Sequence, residues 1–304
     1  MDKKIIMIIP YFGKFPSNID LTLKSMEMNQ NITWMFFSDN VIERKYKNIN
    51  FIYMSFEDMK FKIKQKVGTN ISTPYKLCDY KPLYGILFDE YINGYDFWGY
   101  CDIDVVFGNI KKFIDNNILS RYDKILELGH FSLYRNIEEI NYMYLNTDKY
   151  GISYQQILES DNIYVFDENY SDKHIDINYL LLKNGYKIYC NKKIYADLDI
   201  KYNNFYPLNY KRKKQYFFEY QNGTLNMLSN KEKSVKVEFL YVHFQQKKNL
   251  PIKVTNMNNY IIAPKGFFDI GKINYNKFYK IKNLKLFWYL KFRVKRKLAK
   301  IVNI

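Results

Sequence analysis

The sequence predicts an α/β protein built on a largely parallel sheet, and three observations carry that expectation. Apolar runs of strand length recur early, at Lys3 to Ile9, Ile32 to Phe37 and Ile49 to Met54, with helical patterns after the first and the third. A further run, Phe97-Trp98-Gly99-Tyr100-Cys101, has the unbroken aromatic character of an inner strand and loses it abruptly at Asp102. Finally, 304 residues at 47% hydrophobic composition suffice for a packed globular core.

The first strand turns out through Pro10-Tyr11-Phe12-Gly13 toward a helix from about Asn18 to Met28. In nucleotide-binding α/β folds this first loop meets the ligand, although here it lacks the usual glycine spacing and a plain turn explains it equally well. The second strand ends at Ser38-Asp39-Asn40. After the third, Ser55 reads as a helix N-cap with Glu57 and Asp58 in the first turn. Thr73 to Gly85 continues as helix through Glu90. Lys76 and Asp79, three apart, either pair on one helical face or offer a cation and a carboxylate to a ligand. Asp102 and Asp104 follow the central strand at the edge where open α/β sheets bind ligands. On a straight strand both would point to one face and could hold Mg²⁺ or Mn²⁺. Such acids also occur as turn or cap residues; the apolar approach and the trailing Phe107-Gly108 favour the metal.

Beyond this point the pattern predicts a helix from Phe107 to about Asn117, a strand from Tyr122 to Leu128, and a second helix introduced by Gly129 to Asn136, which carries His130 and Arg135. Ile163 to Phe166 reads as a strand delivering Asp167 and Glu168, before a helix from about Lys173 to Asn184 that contains His174. Tyr186 to Phe244 is strand-rich, with Asn222-Gly223 a hairpin signal. It closes on His243, with Lys247 and Lys248 after it. Imidazole for a transition metal and ammonium for phosphate oxygens suit a diphosphate clamp, while a core histidine is the plain alternative.

Bulk properties narrow the function classes. Three scattered cysteines fit no disulfide framework and no zinc cluster, which points to a reducing, cytoplasmic setting. The run Ile5 to Ile9 is too short for a secretory core or a membrane span. The net charge is +16, and residues 280 to 300 hold nine Lys or Arg with no acid, more than half of it. Charge gathered in a tail with Leu284, Phe287, Trp288, Phe292 and Leu298 suits a peripheral anchor on the inner face of the plasma membrane better than a nucleic-acid groove.

Three motifs, Ile9-Pro10-Tyr11-Phe12-Gly13-Lys14, Tyr75-Lys76-Leu77-Cys78-Asp79-Tyr80-Lys81-Pro82 and Phe97 to Asp104, resemble those of bacterial surface-polysaccharide glycosyltransferases of the GT-A type. More distantly the chain is similar to lipooligosaccharide galactosyltransferases and clostridial glucosylating toxins. The toxin pattern has Arg where Pro82 stands, so Lys81 or Lys76 would take its part. The resemblance implies a GT-A domain over residues 1–275 with a basic tail over 276–304. It implies a nucleotide-sugar donor, a UDP-sugar, on Pro10, Tyr11, Phe12, Lys76, Asp79, Lys81, Asp102, Lys247 and Lys248. Mn²⁺ or Mg²⁺ would sit on Asp102, Asp104 and His243. Asp167 and Glu168 would act at the reaction centre on a glycan or lipid-linked acceptor, with no nucleic acid involved, and His130 and Arg135 would shape the donor and acceptor cleft, a structural histidine being the plain alternative at 130. A metal-dependent nucleotidyltransferase or phosphodiesterase using the same carboxylates is the rival reading, and a basic nucleic-acid-binding protein the more distant one.

Overall fold

The computed structural model describes residues 2–168, 175–208, 210, 215–229, 232–245 and 250–273. These form two compact units. The first comprises Met1–Phe15, Met26–Val105 and Ile110–Asn191; the second takes in Pro16–Ser25, Val106–Asn109 and the chain from Lys192.

The first unit is the expected α/β body. Its seven-stranded sheet runs in the order Ile49–Tyr53, Ile32–Ser38, Ile5–Tyr11, Phe97–Cys101, Phe131–Arg135, Lys124–Ile125, Ile188–Tyr189. Only Phe131–Arg135 runs against the others. Ile5 to Ile9 and Phe97 to Cys101 are buried along their whole length, as inner strands covered on both faces must be. Ser55 caps the helix Phe56–Val67 through a reciprocal bond with Asp58, and Gly68 ends it in the left-handed region.

Close approach accounts for two glycines. A Cβ on Gly99 would lie 2.3 Å from the Ser132 carbonyl oxygen and 2.6 Å from Leu133 Cδ2, so the ladder between these strands closes only over a bare backbone. At Gly85 a Cβ would meet Asn141 Oδ1 at 2.7 Å and the Trp98 ring at 2.8 Å. Trp98 stacks on Tyr134 at 4.6 Å and donates to Asn141 Oδ1 at 2.6 Å, which locks helix, sheet and following turn together.

Four expectations are corrected. The helix through Glu90 is a series of single turns, Pro74–Lys76, Leu77–Tyr80, Lys81–Leu83, Tyr84–Leu87 and Asp89–Ile92; Pro82 supplies no amide to a continuous ladder in its middle, and Phe88, at φ −124° and ψ 31°, interrupts it near its end. The strand Tyr122 to Leu128 is only Lys124–Ile125, cut short where Leu126 adopts φ 62°. Gly129 to Asn136 carries the reversed strand Phe131–Arg135 before the helical turn Glu138–Asn141, and burial on both faces hid it from a period-two pattern. Ile163 to Phe166 is no strand, and Val165 stands at φ 63°. The helix that follows is Ile177–Lys183, capped by Asp176; His174 lies outside the described residues.

In the second unit a six-stranded sheet runs Glu232–Glu238, Thr224–Ser229, Tyr216–Gln221, Asn259–Ala263, Gly266–Asp269, Ile252–Lys253. Asn222 and Gly223, at φ 45° and 87°, make the expected tight hairpin. A smaller sheet joins Val105–Phe107, Tyr241–His243 and Tyr195–Asp197. Gly108 has no room for a side chain, since its Cβ would stand 2.4 Å from the Phe239 carbonyl oxygen.

Gly99→Ala should therefore lower stability by about 1–3 kcal/mol, the usual range for an overpacked interior, when urea unfolding of the two proteins is compared. An unchanged midpoint would mean that the two strands part at no cost.

Candidate active site

The central strand ends at Cys101, and the chain bends through Asp102 to Asp104. The two acids thus reach one place from a bend, and the expectation of a straight strand is corrected. Each offers a carboxylate oxygen within 4.8 Å of the other. Asp104 is buried, whereas the Asp102 side chain is 35% exposed and opens the pair to solvent.

Lys81 stands over this bend. Its ammonium donates to Asp102 Oδ1 at 2.8 Å and to the Gly129 carbonyl at 2.9 Å, lies 3.3 Å from Asp167 Oδ2, and faces the Tyr100 ring at 5.5 Å. Burial works against its charge, but Asp102 and Asp167 outweigh that and hold the ammonium well above the ordinary lysine value. Asp167 is itself buried, and burial pushes its carboxyl up to about 7, with Lys81 pulling the other way and Glu168 and Asp102 adding to the rise. The folded state holds this proton more tightly than the unfolded chain does, so Asp167 costs stability increasingly as pH rises from about 4 through about 7. Glu168 Oε2 accepts the Gly129 amide at 2.9 Å, and Gly129 must be bare because a Cβ would touch Asp167 Oδ2 at 2.2 Å.

Lys76 and Asp79 do something other than meet a ligand. Asp79 is 0% exposed; its Oδ2 accepts Lys76 Nζ at 2.8 Å and the Tyr164 amide at 2.9 Å, and its Oδ1 accepts the Phe166 amide at 3.0 Å. Lys76 Nζ also donates to the Ile157 and Asn162 carbonyls at 2.9 and 2.8 Å, which uses all three of its N–H groups. The expectation of a donor phosphate on Lys76 and a sugar hydroxyl on Asp79 is corrected. The pair is a buried staple that ties segment 157–166 to the helical turns and so sets where Asp167 emerges. Amides that a strand would give to a neighbour go to Asp79 instead, which explains the missing strand at 163–166.

Of the first loop, Pro10 and Tyr11 belong to the strand, and Tyr11 stacks on Phe15 at 5.3 Å. Phe12 is core, packed on Phe56 at 5.4 Å. Asp39 accepts the Gly13 amide at 2.9 Å, a loop-holding role that the sequence reading missed although the strand end at Ser38-Asp39 was visible. His130 is buried, and its carbonyl accepts the Asp102 amide at 3.3 Å. Arg135 leaves the site altogether: its strand places it opposite Phe97, a full strand length from Asp102, bonded to Asp123 and to the Leu119 and Tyr122 carbonyls.

In the second unit His243 Nδ1 lies 2.9 Å from Asp197 Oδ1, which also accepts Gln245 Nε2 at 2.7 Å. With Nδ1–H given to a carboxylate, the tautomer carries its lone pair on Nε2, the arrangement usual for ligand histidines. Asp197 was missed, though Tyr195-Ala196-Asp197 repeats the apolar-then-acid signal of Asp102. Lys247, Lys248 and the basic tail lie outside the described residues.

A family model described as a family of unknown function, DUF6625, matches residues 7–271. No curated protein matches the chain. Among solved structures it is similar to the galactosyltransferase LgtC in complex with donor and acceptor sugar analogs, at 14% identity over 63% of this chain and 75% of that one, TM-score 0.37. It is also similar to the apo glycosyltransferase GlyE of Streptococcus pneumoniae TIGR4, at 10% identity over 64% and 46%, TM-score 0.29. Mouse xyloside xylosyltransferase 1 in its apo form is similar at 8% identity over 83% and 100%, TM-score 0.37.

Removing one member of the buried staple leaves the other charge without its counter-ion. Lys76→Met should cost about 3–5 kcal/mol in chemical unfolding; a loss under about 1 kcal/mol would show that segment 157–166 is held by other contacts.

Proposed function

The chain belongs to the family of unknown function DUF6625, and we propose that it is a metal-dependent glycosyltransferase moving a sugar from a nucleotide donor, a UDP-sugar, to a glycan or lipid-linked acceptor in surface-glycan synthesis. The observation that carries this reading is the Asp102–Lys81–Asp167 constellation beside Asp104, at the carboxyl edge of a mostly parallel sheet. The resemblance of the three sequence motifs to GT-A enzymes supports it.

Two carboxylates within 4.8 Å, one open to solvent, are hard oxygen donors that fit Mg²⁺ or Mn²⁺. On this reading Asp102 and Asp104 hold the cation. When bound, such an ion supplies positive charge to a departing diphosphate. Lys81 brings a second, permanent cation to the same carboxylate and helps to hold the donor. Asp167, whose carboxyl changes protonation near neutral pH, can take the proton of an acceptor hydroxyl or stabilise positive charge at the sugar carbon. Glu168 supports it by fixing Gly129. Lys247 and Lys248 are proposed for the phosphates.

A thermal-shift screen of UDP-sugars with Mn²⁺ should single out one donor. With that donor, Asp102→Asn combined with Asp104→Asn should abolish metal-dependent sugar transfer while the protein still folds. Asp167→Asn should lower turnover by about 10²-fold or more, with donor affinity little changed. Full activity of the double variant under metal control, or release of a nucleotidyl-acceptor product, would sink the reading.

Residues 276–304 are proposed to hold the enzyme at an anionic bilayer, the location of a lipid-linked acceptor, each basic residue contributing about 1 kcal/mol. Truncation after Asn283 should remove salt-sensitive sedimentation with phosphatidylserine vesicles; equal binding by the truncated chain would refute the anchor.

A further inference from the structure

A further buried lysine sits on the seven-stranded sheet and is used by nothing above. Lys124, in the short strand Lys124–Ile125, is 0% exposed, and both of its hydrogen-bond partners are neutral oxygens: the Leu126 carbonyl at 2.7 Å and Ser132 Oγ at 3.1 Å. The Tyr134 ring faces its ammonium at 5.0 Å.

These bonds end on a loop whose backbone is held at every step. The Leu126 carbonyl takes Lys124, the Glu127 carbonyl takes Asn178 Nδ2 at 3.0 Å, and the Leu128 carbonyl takes Ser132 Oγ at 3.1 Å. The Gly129 carbonyl takes Lys81 at 2.9 Å, and the His130 carbonyl takes the Asp102 amide at 3.3 Å. Leu126, at φ 62°, is strained for a γ-branched residue and persists only because its surroundings hold it. Its amide is fixed on the Tyr189 carbonyl at 2.8 Å, and Lys124 grips its carbonyl.

We propose that Lys124 is the positioning residue of the candidate active site: from inside the sheet it fixes the strained start of loop 126–130, and through the Gly129 carbonyl it sets where Lys81, and with it Asp102, stands. The proposal rests on the glycosyltransferase reading only for its consequence in catalysis. The mechanical link from Lys124 to Lys81 exists in the resting protein.

The same geometry makes the link sensitive to protons. Burial pulls the Lys124 ammonium down to about 7, against the opposing influence of Asp176 at the helix start, Asp167, Glu127 in the loop and Cys190 beyond the last strand. A neutral amine has two N–H donors for the two oxygens present; the ammonium has a third, which meets only the Tyr134 ring. Opening that lets water reach Lys124 restores an ordinary lysine. Because the closed state holds the proton more weakly than the open one, closure is strengthened as pH rises from about 7 toward the ordinary lysine value near 10.5, and is not strengthened further by this group below 7. Asp167 acts with the opposite sign in a lower window, since its ionisation weakens closure as pH rises from about 4 through about 7 and changes it no further above that.

The test is amide exchange on the full chain, without donor or metal, corrected for intrinsic rates and read at Leu126 and Phe131 from pH 6 to 9. Relative to Lys124→Met, protection in the wild type should rise several-fold per pH unit above 7, the limit for one proton being about tenfold. Amides of the helix Phe56–Val67 should behave alike in both. In the variant the ¹⁵N signal of the Lys81 ammonium should also move, which a purely local packing defect would not cause. Should Lys124→Met fail to fold, Asp167→Asn decides the matter, because it removes the carboxylate's contribution below about pH 7 and leaves the rise due to Lys124 above that in place. Parallel pH profiles in wild type and Lys124→Met, or a flat profile in Asp167→Asn, would overturn the proposal. Neither outcome bears on whether sugar is transferred.

Discussion

One ammonium group is gripped by oxygens from three segments that are remote in sequence, and the first unit is arranged around that grip. Lys81 comes from the helical turns, Asp102 from the end of the central strand, Gly129 from the loop before the reversed strand, and Asp167 from the strap after residue 157. A buried cation without counter-charges would lose its proton or pull the site open to water, so the three acceptors have to converge. Their supports follow from this requirement. Asp79 and Lys76 pin the strap, Glu168 pins Gly129, and the bare backbone of Gly129 lets Asp167 come close.

The first unit thus carries two lysines of opposite character, Lys81 on the helical turns and Lys124 on the sheet. Lys81 has carboxylates in contact and keeps its charge; Lys124 has only a carbonyl and a hydroxyl, and burial prevails. The difference lies in neighbours as well as in depth, since the Lys81 side chain is 12% exposed and Lys124 is 0% exposed. A charged partner at hydrogen-bond distance offsets desolvation, whereas neutral oxygens do so only in part. The two are joined through a single loop with a bound oxygen at each residue, and that loop converts the proton state of one lysine into a constraint on the other.

In the second unit an acid at a strand end again sets the chemistry. Asp197 meets His243 on a parallel neighbour in register and fixes its tautomer. Asp102 follows an apolar strand and Asp197 ends one, and their partners make the first a lysine-held carboxylate and the second a histidine-orienting one.

The amino-acid sequence by itself determined the strand-forming runs, the capped helix at Ser55, the hairpin at Asn222-Gly223 and the acids at strand ends. Each of these follows from local physics: apolar periodicity, a side chain short enough to cap, a residue tolerant of positive φ. Lys76 paired with Asp79 was legible as well, because three residues of helical spacing bring the two together. Only tertiary structure decided that this pair is buried with every donor used, that Phe131–Arg135 reverses within a parallel sheet, and that 163–166 gives its amides to Asp79 rather than to a strand. The same holds for Lys81, whose partners lie 21, 48 and 86 residues away, and for Asp197 with His243, 46 apart. Burial, register and the meeting of distant charges depend on what the rest of the chain places alongside a residue, and no local pattern encodes that.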